Sequence, residues 1–150
     1  MKTSLLLGIL IALTLPATLV GRPPEDTAAD LAQLAQKMAR DLRDRNADAV
    51  LDIYGRRAEY VHIENGKEIP FAQLEPAVRS YLESVKTNEI YWVGTPTVLM
   101  LGSDAAVVYG THQFAGAGTR EAHRGKWTGV FQRIGGQWKL VHSHSSDEKD

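Results

Sequence analysis

The stretch 125-GKWTGVFQRIGGQWKLVHSHSS-146 decides the fold. Two runs flank Gly135-Gly136, and a Gly-Gly pair between alternating runs is the two-residue turn of a β-hairpin. On the first run Trp127, Gly129, Phe131 and Arg133 share one face, and Lys126, Thr128, Val130 and Gln132 share the other, because strand side chains repeat every two residues. Both faces carry apolar mass, so this strand is expected to be covered on both sides, by a helical core and by a second copy of the chain. The same period puts Trp138, Leu140, His142 and His144 on one face of the second run, with Ser146 continuing it.

Two imidazoles at that spacing can hold one divalent ion, but Zn²⁺ needs a third protein ligand at about 2.0–2.2 Å. The chain has no cysteine, so His62, His112, Glu64 or Glu121 would have to supply it. A hydrogen-bonded pair beside a pocket fits better, and neither a metal nor another cofactor is expected.

Moving toward the N-terminus, "AAVVYGTHQFAG" and "EIYWVGTPTVLML" are two more strands, separated by "GSD", with His112 on a face with Val108, Gly110 and Phe114. His123 falls in the polar "TREAHRGK" junction and is expected in solvent. "PFAQLEPAVRSYLESVKT" has helical spacing through Phe71, Leu74, Val78 and Leu82, and Pro76 should lie in its first turn or mark a break. "AEYVHIENGKEI" returns to strand period, with Asn65-Gly66 as a reversal and His62 alternating with Tyr60 and Glu64. Before it, "NADAVLDIYGRR" is a short helix capped by Asn46 or Asp48 that buries Val50, Leu51, Ile53 and Tyr54. "TAADLAQLAQKMARDLRDR" is an amphipathic helix with Ala28, Leu31, Leu34, Ala35, Met38 and Leu42 on its apolar stripe. Helix, short helix, strand, helix and four late strands make an α+β domain, with the helices covering one face of an antiparallel sheet.

At the N-terminus Lys2 precedes an apolar run broken by Pro16, followed by small residues, which is the layout of a secretory signal. The expected organisation is a signal peptide at 1–21, a linker at 22–27, one domain at 28–146 and a polar tail at 147–150, placing the protein in the periplasm or outside the cell. Roughly 130 residues from Arg22 onward suffice for one hydrophobic core. The formal charge of the chain is −1, which offers no basic footprint for nucleic acid. Mixed charges on the first helix argue against a membrane-surface role, so no stable membrane insertion is expected once the signal is removed. Nucleophile-elbow, phosphate-loop and dinucleotide patterns are absent, because Gly102 and Gly116-Ala117-Gly118 lack the required spacings.

"ADAVLDIYGRRAEYVHI" together with "GKWTGVFQRIGGQWKLVHSHSS" resembles the nuclear-transport-factor-2-like (NTF2-like) superfamily, in its SnoaL-like and DUF4440-like branches. The closing tryptophan strand, Gly-Gly turn and Trp-x-x-x-His-x-His-Ser-Ser strand carry most of the likeness. The resemblance implies a cone: a curved antiparallel sheet around three helices, with an apolar cavity at one end and dimerisation through the sheet. Relatives span ketosteroid isomerases, dehydratases, cyclases and non-catalytic binding modules, and fold alone does not choose among them. His62 stands where the isomerases carry a general-base aspartate.

The implied function is binding of a small organic molecule in the cone, with cofactor-independent acid–base isomerisation, cyclisation or dehydration as the catalytic form. His62, His144 and His112 are the candidate catalytic residues, since imidazole exchanges protons near neutral pH. Tyr54, Tyr60, Trp92, His142 and Trp127 are the candidate ligand-binding residues, with Tyr91 and Tyr109 as further pocket donors. The alternative is a non-catalytic ligand-binding or assembly domain.

Overall fold

The computed structural model describes residues 25–56, 59–84, 89–115 and 123–148. The expected signal peptide, the start of the linker and Glu121 lie outside them. Helix α1 (Glu25–Arg43) begins three residues before the expected domain start at Ala28. Its predicted stripe is buried: Leu31 and Ala35 have no exposed surface, while Leu34 and Leu42 pack at the edge of the core. Helix α2 (Ala47–Ile53) starts at Asn46, whose side-chain oxygen accepts the Ala49 amide at 3.1 Å, so Asn46 and not Asp48 is the cap.

The expected first strand is a hairpin, β1 (Val61–Glu64) and β2 (Lys67–Pro70), turned by Asn65 and Gly66 with φ of 48° and 82°. Such positive angles at both turn positions are what an Asn-Gly pair supplies. Helix α3 (Phe71–Ser84) follows and contains Pro76 well inside it. The expected break does not occur; the helix runs on without the amide hydrogen bond that a proline cannot donate.

Strands β3 (Glu89–Met100), β4 (Ala105–Ala115), β5 (His123–Ile134) and β6 (Gln137–Asp147) then form three antiparallel hairpins. The complete sheet has the order β2-β1-β6-β5-β4-β3. It is mixed and not wholly antiparallel, because β1 pairs in parallel with β6. The chain leaves β2 through α3 to the far edge and returns strand by strand, and that path brings the last strand back beside the first in the same direction. The sheet is curved and unclosed, with the helices on its concave face. There Ala106, Val108, Trp127, Phe131 and Leu140 meet Leu31, Ala35, Met38, Ile53 and Leu74.

Two irregularities decide which side chains face inward. In β3 the register slips between Val93 and Thr97, where Gly94 has φ of 82°. In β6, Phe131 pairs with Leu140 while the preceding Val130 pairs with His142, leaving Val141 as an extra residue. This β-bulge reverses the alternation of everything after it. The expected shared face of Trp138, Leu140, His142 and His144 is therefore incorrect: Leu140 and Ser143 point into the core, both without exposed surface, and His142 and His144 point to the convex side.

Candidate functional site

The concave face and the helices enclose a cavity of about 400 Å³. Its apolar walls come from Met38, Ala39 and Leu42 on α1, Leu74, Ala77 and Val78 on α3, Ile69 on β2, and Ile90, Trp92, Phe114 and Trp127 on the sheet. Tyr54, Tyr81, His62, Glu64, His112, Ser145 and Asp147 supply the polar groups. A few convergent polar groups in a mostly apolar hollow of this size is the usual composition of a small-molecule site.

Three glycines make room for the rings on the concave face. A Cβ on Gly110 would lie 3.0 Å from the Trp92 ring, one on Gly129 would lie 2.1 Å from Trp127, and one on Gly125 would lie 2.7 Å from His112. Each ring thus lies over a bare backbone position, flat enough to leave the hollow open. Trp92 and Trp127 meet edge to face at 5.5 Å, and the Trp92 indole N–H donates to the Ala35 carbonyl at 3.0 Å.

His62 is held from behind. Its Nδ1 is 2.8 Å from Ser143 Oγ, which is itself 2.8 Å from the Tyr60 hydroxyl, and the Tyr60 hydroxyl is hydrogen-bonded to that of Tyr54. Parallel pairing produces this contact, since His62 lies directly beside Ser143 in the β1–β6 register. On its other edge, His62 Nε2 is 3.5 Å from Ser145 Oγ, which borders the cavity. Burial lowers the His62 pKa below its ordinary value, with hydrogen bonding at Ser143 acting against the shift and nearby His142 and His144 adding to it. Burial pushes the Tyr54 phenol up to about 12 and raises Tyr60 further, so both stay protonated hydrogen-bond donors.

His112 is on the opposite part of the wall. Its ring stacks near Phe114, with centroids 6.3 Å apart, and its buried Nδ1 has no hydrogen-bond partner among the described residues. Burial lowers its pKa as well, against the attraction of Asp147 and Glu148.

Of the residues singled out from sequence, His62, His112, Tyr54, Trp92 and Trp127 border the cavity together. Tyr60 does not reach its surface; it is buried behind His62 at 1% exposure. His142 and His144 lie on the far side of the sheet, His144 in solvent, so the candidate catalytic His144 does not meet His62 at the cavity. Tyr109 is on that convex side too and 45% exposed, and the side chain of Tyr91 lies outside the described residues. Among the described residues no group of three or more His, Asp or Glu side chains could hold a metal ion. Ser143, Ser145 and Asp147 were missed because the bulge cannot be read from "WKLVHSHSS". Asp147, the first residue of the expected polar tail, is the last residue of β6, with Asp147 N donating to Asn65 Oδ1 at 2.9 Å and Asn65 Nδ2 donating to Asp147 Oδ2 at 3.0 Å.

A curved six-stranded sheet wrapped over three helices, with a hollow between them, defines an NTF2-like domain. The profile of the SnoaL-like domain matches residues 31–147, and the chain belongs to that family. A Streptomyces avermitilis structure provisionally described as a dehydratase of the NTF2-like family is similar at a TM-score of 0.74 and 14% identity, over 85% of this chain and 99% of that one. An NTF2-like superfamily protein from Salmonella enterica serovar Typhimurium LT2 is similar at 0.74 and 14% identity, over 83% and 93% of the two chains. A Xanthomonas campestris structure provisionally described as a calcium/calmodulin-dependent protein kinase II association domain is similar at 0.69 and 23% identity, over 86% and 94%. At these identities the likeness shows the fold. A search of curated proteins gives no match.

Proposed function

We propose that the protein binds a small organic molecule in the cavity and performs cofactor-independent acid–base chemistry on it, with His62 as the base. The observation that carries this reading is the anchored imidazole: Nδ1 fixed at 2.8 Å from Ser143 Oγ, with Nε2 at the cavity edge beside Ser145. With Nδ1–H donating to Ser143 Oγ, the Nε2 lone pair accepts a substrate proton, and the imidazolium keeps its bond to Ser143. Burial makes the proton easy to release again. Return of that proton to another carbon completes an isomerisation; its departure with a substrate hydroxyl as water completes a dehydration. His112, whose Nδ1 lacks a described partner, orients the ligand or returns the proton.

The test is mass spectrometry of molecules retained by the purified protein at neutral pH, followed by turnover of the retained compound. His62→Gln is expected to lower turnover by about 10²–10⁴-fold while keeping the fold; an unchanged rate removes His62 from the mechanism.

The convex face supports self-association, the arrangement under which the domain also serves assembly. Val93, Leu99 and Tyr109 are 42%, 54% and 45% exposed on one side of β3 and β4, an apolar strip that a second sheet can cover. Tyr109→Glu is expected to shift a dimer to a monomer in sedimentation equilibrium. Export is part of the same reading, checked by N-terminal sequencing of the protein from the periplasm or medium.

A further inference from the structure

The charges bordering the cavity have one sign. Among the described residues, the ionisable groups lining it besides tyrosine are Glu64, Asp147, His62 and His112, with no lysine or arginine. Both imidazoles are buried enough to favour the neutral form. No described lysine or arginine forms an ion pair with Glu64 or Asp147. Lys67, opposite Glu64 in the hairpin, is exposed and is not part of the wall. Arg124 and Lys126 fall on the convex alternation of β5, and Lys126 is paired with Glu148 at 3.0 Å.

The two carboxylates also stand in a fixed relation to the base. Glu64 is two residues beyond His62 on the same face of β1, and Asp147 is two residues beyond Ser145 on the adjacent parallel β6. A two-residue step along a strand covers about 7 Å. Around them, Trp92, Phe114, Trp127 and Tyr81 present aromatic rings, whose faces attract cations as well as apolar groups.

Resting on the reading of the cavity as a ligand site, we propose that its ligand is an organic cation: an apolar body against the aromatic wall, and a protonated amine between Glu64 and Asp147, about 10 Å along the strands from the group presented to His62, since Asp147 stands four residues beyond Ser143, the strand partner of His62. The carboxylates select charge and set the ligand's direction, while His62 acts at the other end.

The experiment uses three probes of one shape, 4-phenylbutylamine, 4-phenylbutan-1-ol and 4-phenylbutyrate, titrated into the purified full chain by calorimetry at pH 7 and low salt. The amine is expected to bind about tenfold more tightly than the acid, with the alcohol between them, and raised salt should narrow the gap. Glu64→Gln with Asp147→Asn is expected to bring the amine down to the alcohol and leave the alcohol unchanged. Glu64→Gln alone, which leaves the Asn65–Asp147 bonds intact, should give part of that loss. An acid that binds as tightly as the amine, or a preference that survives the double substitution, overturns the charge assignment and leaves the cavity reading standing. Failure of all three probes to bind overturns both.

Discussion

Ser143 has no exposed surface and touches two groups, the Tyr60 hydroxyl and His62 Nδ1, each at 2.8 Å. Its replacement by alanine leaves His62 Nδ1 without a partner in a buried place and leaves the Tyr60 hydroxyl with Tyr54 alone. Ser143→Ala is therefore expected to cost about 1–3 kcal/mol in urea unfolding. It should also move His62 toward the Nε2–H tautomer in ¹⁵N NMR, since the acceptor that favours Nδ1–H is gone. Unchanged stability and an unchanged tautomer would show that the serine does not anchor the ring. At this scale the sequence put Tyr60, His62 and Glu64 on one side by their alternation, and His62 and Glu64 both border the cavity. It did not identify Ser143, since a serine between two histidines carries no mark of burial.

The same contrast holds for whole elements. Asn65-Gly66, Gly135-Gly136 and the apolar stripe of α1 were legible because each is a local pattern with a local cause, and the cap of α2 was narrowed to Asn46 or Asp48. The bulge at Val141 was not, because it depends on how β6 fits β5 and not on β6 alone. One extra residue exchanged the histidines for Ser143, Ser145 and Asp147 on the cavity side. The glycines under the rings are a second non-local feature, spaced along β4 and β5 so that Trp92, His112 and Trp127 can lie down on them. Gly129→Ala places a methyl group 2.1 Å from the Trp127 ring, and the tryptophan must leave its position. The expected result is a loss of about 1–3 kcal/mol with a shifted tryptophan emission; a native emission spectrum would mean that the ring has room to spare.

For the molecule as a whole, His62 and His112 both have pKa values lowered by burial. Each therefore takes a proton more readily in the unfolded chain. Between the ordinary value of about 6.5 and the lower folded value, unfolding is accompanied by proton uptake, so stability is full above about 6.5 and declines as pH falls through that window. Thermal melts from about pH 7 down to pH 5 are expected to show this decline, and His62→Gln with His112→Gln should flatten it. The α+β class and the helical cap were legible at this scale, but the parallel union of β1 with β6 was not, because nothing in either strand specifies a partner some eighty positions away. That union governs the order of events during synthesis. Val61–Glu64 is made early and must wait for His142–Ser145, some eighty residues later, before its free edge is closed. A contact this distant in sequence is slow to form and forms late. The imidazole thus receives its anchor only after β6 has been made, some eighty residues after the ring itself.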